Sequence, residues 1–171
     1  IVTGTTPFYH GITGDQWIDR NSLRPISCTE DIHQPGIPSP IQLAVSSLGD
    51  ELKATTNGNA KIFAISPFQD MAILSAGHAA DGAVWLNENT GQWITSQYYS
   101  NNIPIWLLSY NELNNISKKK KRIEWQPLFV NQKPDFKHHL KSYRKYQEYQ
   151  TSGLINADIT ALALACVSEQ E

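Results

Sequence analysis

Residues 39–66 read SPIQLAVSSLGDELKATTNGNAKIFAIS, and this stretch predicts the fold class. Ser39 followed by a proline is a favoured helix start. The apolar residues behind it recur at helical spacing: Ile41, Ala44, Val45, Leu48 and Leu52. Asn57-Gly58-Asn59 ends that helix, and residues 61–66 then form a short, largely apolar strand. A helix, a glycine turn and an apolar strand make half of a parallel crossover, which predicts an α/β fold with a mainly parallel sheet.

The segments on either side of this unit carry loop and hairpin signals. Residues 3–40 are rich in Gly, Thr, Pro and Asn, which predicts turns and loops around one brief element near Trp17. Residues 83–86 and 92–95 are apolar runs separated by the turn sequence of residues 87–91, so they predict a β-hairpin. Because sites are concentrated on loops, we expect the residues before position 40 to contribute to one.

Two helices are predicted in the last third of the chain. The first runs from Pro104 to about Leu113, with Asn102 as its N-cap. The second follows the apolar stripe of residues 154–167, whose members are spaced as on one helix face. The chain between these helices is polar and carries Lys, Tyr and Gln, which is typical of a segment that wraps the surface.

Composition and charge narrow the function classes. The 171 residues carry a formal net charge of −2, so no global field draws the chain to nucleic acid or to an anionic membrane. No apolar run reaches the roughly 18 residues that a membrane span requires. Cys28 and Cys166 are far apart, so the sequence indicates neither a disulfide framework nor a structural zinc motif. Phosphate-loop, HExxH, GxSxG and dinucleotide-binding motifs are absent from the sequence.

Three groups of residues could have either a binding role or a structural role. The basic run Lys118–Arg122 could contact phosphates, although a solvated loop is the favoured interpretation. Exposed rings could stack on sugars, which would make the chain a glycan- or polyanion-binding module. Core packing is the more usual fate of such rings, here Trp85, Trp93, Tyr98, Tyr99 and Trp106. Most histidines stand singly, and His138-His139 would point to different sides of a helix or strand, so structural or solvated roles are predicted.

Two loop segments carry a family resemblance. Residues 4–20 read GTTPFYHGITGDQWIDR, and residues 75–85 read SAGHAADGAVW. The first segment resembles the TGTxPxxHGIxGNxWYDR stretch of bacterial phosphatases and type I phosphodiesterases or nucleotide pyrophosphatases of the alkaline phosphatase superfamily. The intervening helix, strand, Ala-Gly-His sequence and hairpin recur there in the same order. The resemblance covers residues 1 to about 130 and, more weakly, 150–171.

The resemblance implies a domain organisation. It predicts an alkaline phosphatase-like, mainly parallel sheet sandwiched by helices, of which this chain is one part with an antiparallel hairpin insertion. Residues 1–110 would be the core part with the substrate-pocket loops, and residues 111–150 a polar surface insertion. Residues 151–171 would begin the next core helix.

The resemblance also implies a chemistry, that of a phosphomonoesterase or phosphodiesterase in which a Thr or Ser nucleophile forms a phosphoenzyme between two zinc ions. The nucleophile would lie a few residues before Ile1, and the Asp and His metal ligands further upstream or beyond Glu171. We therefore expect no catalytic or metal-ligating residue in this chain and no activity from it alone. The expected partner is a small phosphate ester, not nucleic acid, and the expected location is periplasmic or secreted.

Three residues are predicted to line the substrate pocket. Asp15 stands where the family commonly has an Asn that donates to a phosphoryl oxygen. An ionised Asp would repel phosphate by about 4 kcal/mol at a separation of about 4 Å and an effective dielectric near 20. Asp15 would therefore be protonated or face a cation, or the substrate would differ.

The other two residues that are predicted to line the substrate pocket are Phe68 and Asp70. They stand where monoester-selective relatives have a Lys-x-Arg pair for the extra phosphate charges. We therefore expect weak monoesterase activity and favour a diester, a nucleotide-like substrate or an atypical esterase. The alternative is a shifted alignment or a degenerate, non-catalytic member.

Overall fold

The computed structural model describes residues 2–116, 122–125, 136–141 and 144–170. Its helices are α1 (Pro7–His10), α2 (Leu48–Thr55), α3 (Gln69–Ala76), α4 (Ile105–Leu113), α5 (Lys145–Gln150) and α6 (Ile155–Ser168). Its strands are β1 (Gln16–Ile18), β2 (Pro25–Ser27), β3 (Phe63–Ser66), β4 (Gly82–Leu86), β5 (Trp93–Thr95), β6 (Arg122–Trp125) and β7 (Phe136–His139). Within these residues β3, β4 and β5 form a three-stranded sheet in that order, while β1-β2 and β6-β7 are separate antiparallel pairs.

A parallel crossover forms the centre of the molecule. β3 and β4 pair in parallel, from Phe63 opposite Gly82 to Ser66 opposite Trp85, and α3 joins them. The backbone N–H of Ile62 donates to the Asp81 carboxylate at 2.8 Å, which holds the two strand starts together. The predicted strand is present but begins at Phe63 rather than at residue 61. This unit confirms the α/β fold class.

The predicted hairpin is also present. β4 and β5 are antiparallel, with Val84 opposite Thr95 and Leu86 opposite Trp93. The side chain of Asn87 closes the turn by accepting from the backbone N–H groups of Asn89 and Thr90 at 2.9 and 3.1 Å. Short polar turns of this kind are favoured where a side chain can replace a backbone acceptor.

The predicted helix beginning at Pro40 is wrong at its start. Residues 40–46 form turns, and α2 begins only after Ser47. The Ser47 hydroxyl accepts from the N–H of Asp50, and the Asp50 carboxylate accepts from the N–H of Ser47. This capping box satisfies the free donors of a helix start, so the helix begins there. Upstream, the N–H of Ala44 bonds instead to the carbonyl of His10 at 3.0 Å, which a helix from Pro40 would not allow.

β4 separates two apolar cores, because successive residues of a strand point to opposite faces. Val84 and Leu86 lie in a large cluster with α4, α5 and α6. Ala83 and Trp85 lie in a smaller cluster with the buried residues of α3: Ala72, Ile73 and Ala76. All five β4 residues are buried. Helices therefore cover both faces of the sheet, as expected for part of an α/β sandwich.

The two predicted C-terminal helices are present as α4 and α6. The N-cap of α4 is Pro104, without a side-chain hydrogen bond, so the assignment of Asn102 as N-cap is wrong. The carbonyl of Asn102 instead accepts from the Ser100 hydroxyl at 2.7 Å in the loop before the helix. On α6, Ile155, Leu162 and Cys166 are buried as the stripe predicts.

The segment predicted as a surface insertion also contributes to the core. Ile116, Leu140 and Tyr149 are buried in the cluster that contains α6. The basic run lies outside the described residues except for the backbone of Arg122. The division of the chain at residues 110 and 150 stays a prediction. None of the described helices has the length and apolar character needed to cross a membrane.

Candidate functional site

Asp15 lies on an exposed loop directly before the β1-β2 hairpin. Its carbonyl accepts from the backbone N–H of Cys28 at 2.9 Å, just after β2. Gln16 pairs with Ser27 in the neighbouring position of the ladder. The hairpin therefore fixes the backbone of Asp15 beside Cys28 and leaves its side chain at the surface.

Asp70 lies in the first turn of α3, which begins at Gln69 with Phe68 as its N-cap residue. The Thr29 hydroxyl donates to Asp70 Oδ1 at 2.7 Å, and the Gln69 amide donates to the same hydroxyl oxygen at 3.1 Å. Thr29 is buried. Phe68 is half-buried and has no side-chain capping bond. This chain of hydrogen bonds holds the Asp70 carboxylate against the loop that follows β2.

The carboxylates of Asp70 and Asp15 both influence the thiol of Cys28. Burial raises the pKa of its thiol to about 11, and the charges of Asp70 and Asp15 add to the rise. A thiol with so high a pKa is a poor nucleophile at neutral pH, because the thiolate is the reactive form. The structure thus brings two of the three sequence-predicted pocket residues, Asp15 and Asp70, to the surroundings of one thiol, while Phe68 precedes the helix that carries Asp70.

A second hydrogen-bonded loop supports the Ala-Gly-His segment. The Asp50 carboxylate accepts from the N–H of Ala79 at 2.7 Å as well as from Ser47. His78 Nε2 bonds to the Leu43 carbonyl at 3.0 Å. Tyr99 Oη donates to the carbonyl of Gly77 at 2.8 Å. His78 thus has a structural contact, as the sequence interpretation held.

The Asp50 carboxylate is more acidic than an ordinary Asp. Burial disfavours its charge, but the N–H groups of Ser47 and Ala79 and the Ser47 hydroxyl outweigh burial, so the pKa of Asp50 lies below 3.8. A carboxyl group whose pKa is lowered by folding stabilises the folded state at pH values above its unfolded pKa. Asp50 therefore links the stability of this loop to pH in the acid range.

Asp50→Asn is expected to lower the free energy of unfolding by about 1–2 kcal/mol at neutral pH, because the amide cannot replace both acceptor oxygens. The wild-type advantage is complete above the ordinary value of 3.8 and disappears as pH falls through the lowered pKa. Urea unfolding of both proteins at pH 7 and at about pH 2 measures the difference in their free energies of unfolding. Glu112→Gln, an exposed change on α4, serves as control. A difference that is independent of pH would contradict this role.

The five aromatic residues considered for a sugar-stacking platform are engaged in packing and hydrogen bonds within the described fold. Trp85 and Trp93 are 5% and 1% exposed, and Trp106 packs on the large core with its ring against that of Phe63. Tyr98 and Tyr99 form an edge-to-face pair and donate to carbonyls of residues 73–78. The core-packing interpretation of the tryptophans is therefore the correct one, and the glycan-binding alternative loses its main support.

No three His, Cys, Asp or Glu side chains cluster so as to hold a metal ion in the part of the chain that the structure describes. His10 Nδ1 accepts from the N–H of Ile12 at 3.2 Å, which is a local turn contact. His33 and His139 are exposed. The described residues of this chain therefore do not fit a metal centre by themselves.

Sequence reasoning missed the residues that position the pocket. Nothing in the sequence singled out Thr29 or Gln69, because their contacts join positions about 40 apart in the chain. The capping box, in contrast, had a signal: Ser47 and Asp50 have the Ser-x-x-acid spacing of a helix start.

Three curated proteins match much of the chain. Alkaline phosphatase PhoV from Synechococcus elongatus is 33% identical over an alignment of 137 residues, and the match covers 75% of this chain and 25% of PhoV. A protein named calcium-transporting ATPase, from Myroides odoratus, is 34% identical with the same coverage. Alkaline phosphatase PafA from Elizabethkingia meningoseptica is 36% identical over an alignment of 123 residues, and the match covers 67% of this chain and 22% of PafA. The chain thus spans about a quarter of the length of the curated relatives it matches.

The fold has a counterpart among solved structures. The crystal structure of wild-type alkaline phosphatase PafA matches with a TM-score of 0.70 and 25% sequence identity. The match covers 98% of this chain and 38% of that one. No protein-family model matches the chain.

Proposed function

The chain is related in sequence and fold to part of the alkaline phosphatase superfamily, and from this premise we propose that it supplies the substrate-pocket loops of a metal-dependent phosphoric ester hydrolase. The resemblance identified from the sequence is thereby confirmed, as is the partial alkaline phosphatase-like α/β fold. The activity itself is a proposal, because the chain spans only a quarter of those relatives.

The observation that carries the proposal is that Asp15 and Asp70 both lie close to the thiol of Cys28. They come from two segments more than 50 positions apart, yet Asp15 and Asp70 both act on the Cys28 thiol and Phe68 precedes the helix that carries Asp70. Convergence at the ends of loops next to a sheet is where ligand sites of α/β proteins are found. This placement supports the assignment of the three residues to one pocket.

The charges of this pocket favour an ester with a single negative charge. A carboxylate near the phosphoryl group repels a phosphate with two charges more strongly than one with a single charge, by about 4 kcal/mol per added charge at about 4 Å and an effective dielectric near 20. Solvent reduces that figure at the exposed Asp15. We therefore assign phosphodiesters, including nucleotide-like ones, as the preferred substrates over simple monoesters.

The catalytic centre proper is assigned to parts of the polypeptide outside this chain. The described residues include no cluster of three metal-ligating side chains, so we assign the ligands of two zinc ions to the rest of the polypeptide. The family resemblance assigns the Thr or Ser nucleophile there as well. This chain's own contribution is to bind and orient the ester. The isolated chain is then inactive, and the complete enzyme is exported to the periplasm or secreted.

The test uses the complete translation product of the reading frame that contains this chain. We expect its kcat/KM for the methyl diester of an aryl phosphate to exceed that for the aryl monoester by about tenfold or more, which corresponds to about 1.4 kcal/mol of differential binding. Chelation should abolish both activities, and zinc should restore them. The isolated 171-residue chain is the control and should hydrolyse neither ester.

Three outcomes would each remove a different part of the proposal. A faster monoester reaction would contradict the diester preference. Full activity after metal removal would contradict metal dependence. Hydrolysis by the isolated chain would contradict a catalytic centre outside it.

A further inference from the structure

A buried glutamine from the last third of the chain contacts the connection between β3 and α3. Gln150 is the last residue of α5 and is 7% exposed. Its side-chain amide donates to the carbonyl of Pro67, 83 positions earlier in the sequence. Pro67 directly precedes Phe68, the N-cap residue of the helix that carries Asp70. The bond therefore joins α5 to the short segment that carries two of the predicted pocket residues.

The backbone of this β3–α3 connection is held by few strong contacts of its own. Pro67 has no N–H to donate, and its carbonyl accepts from the backbone N–H of Leu86 at 3.3 Å as well as from Gln150. The N–H of Phe68 donates to the hydroxyl of Ser66 at 3.2 Å. A contact of 3.3 Å is longer than the usual N–H···O range, so Leu86 alone holds the carbonyl weakly.

The helix that presents Gln150 is itself fixed to the large core. Tyr149 is buried in that core, and its hydroxyl donates to the carboxylate of Asp158 on α6. The ring of Tyr146 lies against Gly91 in the turn between β4 and β5. A buried amide without a partner is costly. A helix anchored in this way therefore keeps the amide of Gln150 directed at Pro67.

We propose that Gln150 is a positioning residue of the substrate pocket, which holds the β3–α3 connection so that Phe68 and Asp70 face the phosphoryl group. The inference rests on the proposed function, in which Asp70 disfavours a phosphate with two charges. The Thr29 hydroxyl fixes the Asp70 carboxylate, while Gln150 fixes the backbone that leads to it. The repulsion between two charges falls with distance, so a displaced Asp70 discriminates less between a monoester and a diester.

Specificity in the complete translation product tests this role. Its measure is the ratio of kcat/KM for the methyl diester to kcat/KM for the aryl monoester. Gln150→Met keeps the length of the side chain but cannot donate. It should lower the ratio about threefold or more, because small misplacements of site residues have large kinetic effects. An unchanged ratio, or a loss of both activities in equal proportion, would overturn the inference, since a purely structural role gives that result.

Tyr149→Phe is the matched control on α5. It removes the hydroxyl that donates to Asp158 but leaves the contact between Gln150 and Pro67 in place. We expect a lower melting temperature and the wild-type ratio. A fall in the ratio as large as that of Gln150→Met would mean that α5 acts only by general stability, and it would overturn the role of Gln150.

A double-mutant cycle asks whether Gln150 acts through Asp70. In the background of Asp70→Asn, Gln150→Met should leave the ratio nearly unchanged, because the repulsion that it would weaken is already absent. Equal effects in both backgrounds would overturn the inference. If Gln150→Met prevents folding, Gln150→Asn keeps an amide on a shorter side chain and should lower the ratio in the same direction. An unchanged ratio in that variant would contradict the inference too.

The two proposals fail in distinguishable ways. A complete wild-type product that is inactive, or that prefers the monoester, contradicts the proposed function and this inference with it. A wild-type product that prefers the diester, and keeps that preference without the Gln150 amide, contradicts only the positioning role.

Discussion

Phe68→Lys combined with Asp70→Arg in the complete enzyme is expected to raise kcat/KM for an aryl phosphate monoester by about 100-fold, with little change for the methyl diester. The double change places two cations where the structure has a ring and a carboxylate at the start of α3. A charged hydrogen bond contributes about 1.5–3 kcal/mol. One such bond to the additional phosphate charge, together with removal of the Asp70 repulsion, accounts for a gain of this size.

The measurement is a comparison of kcat/KM for the two esters in matched variants. Asp70→Asn removes the repulsion without adding a cation, so it should give only part of the gain. Glu88→Arg makes the same change of charge as Asp70→Arg at the exposed hairpin turn and should leave both reactions unchanged. If the double variant gains nothing on the monoester while remaining folded and active on the diester, these positions do not face the phosphate.

Gly77→Ala is expected to lower the free energy of unfolding by about 3–5 kcal/mol, from backbone strain and from loss of the capping box. Gly77 has φ 76° and ψ −158°, a conformation essentially reserved for glycine. A Cβ at this position would overlap the Ser47 hydroxyl and the Asp50 carboxylate and would lie 2.7 Å from Ser47 Cβ. A loss of this size is a large part of the 5–15 kcal/mol stability of an ordinary domain.

Urea unfolding followed by tryptophan fluorescence measures the effect of Gly77→Ala. Gly153→Ala is the matched control, since no atom lies within 4 Å of a Cβ built there, and it should stay within about 0.5 kcal/mol of wild type. A Gly77 variant as stable as the Gly153 variant would show that the loop can move away from α2 at little cost.

The fold was predictable where the residue pattern and the burial agree. The β4-β5 hairpin was predicted because two apolar runs flank a polar turn sequence, and α6 because its apolar residues recur at helical spacing. Residues of both elements are buried in the large apolar core. The crossover helix α3 was not predicted. Its residues Ala72, Ile73 and Ala76 are buried while Met71 is 59% exposed, and the helix is short, with most of its apolar residues in the single run 71–74. A short apolar segment of this kind has no periodicity to distinguish helix from strand.

The error at the start of α2 has a different cause. Ile41, Ala44 and Val45 continue the helical spacing of Leu48 and Leu52, so the pattern extends further than the helix. The spacing is misleading here, because α2 has no buried residue and Leu48 is 73% exposed. The start of α2 is set by hydrogen bonds and not by burial. These are the bonds of the capping box and the bond from the N–H of Ala44 to the carbonyl of His10.

The candidate site could be located from the sequence only through the family resemblance. Composition and spacing gave no reason to group Asp15 with Asp70, since nothing local connects the loop before β1 with the first turn of α3. The Thr29 and Gln69 contacts that hold Asp70 are side-chain bonds between distant segments, and these depend on the completed fold. Their role was therefore accessible only from the structure.

The division of β4 between two cores restricts how the gene for this protein can change in length. A deletion or insertion of one residue within the strand would turn Trp85 toward the face that Val84 and Leu86 now occupy. Both cores would then lose the side chains that fill them. The adjoining turn is restricted too, because the Tyr146 ring occupies the space beside Gly91. Length variation among homologues should therefore be rare between residues 82 and 95 and concentrated in the exposed loops, where an added residue displaces only water.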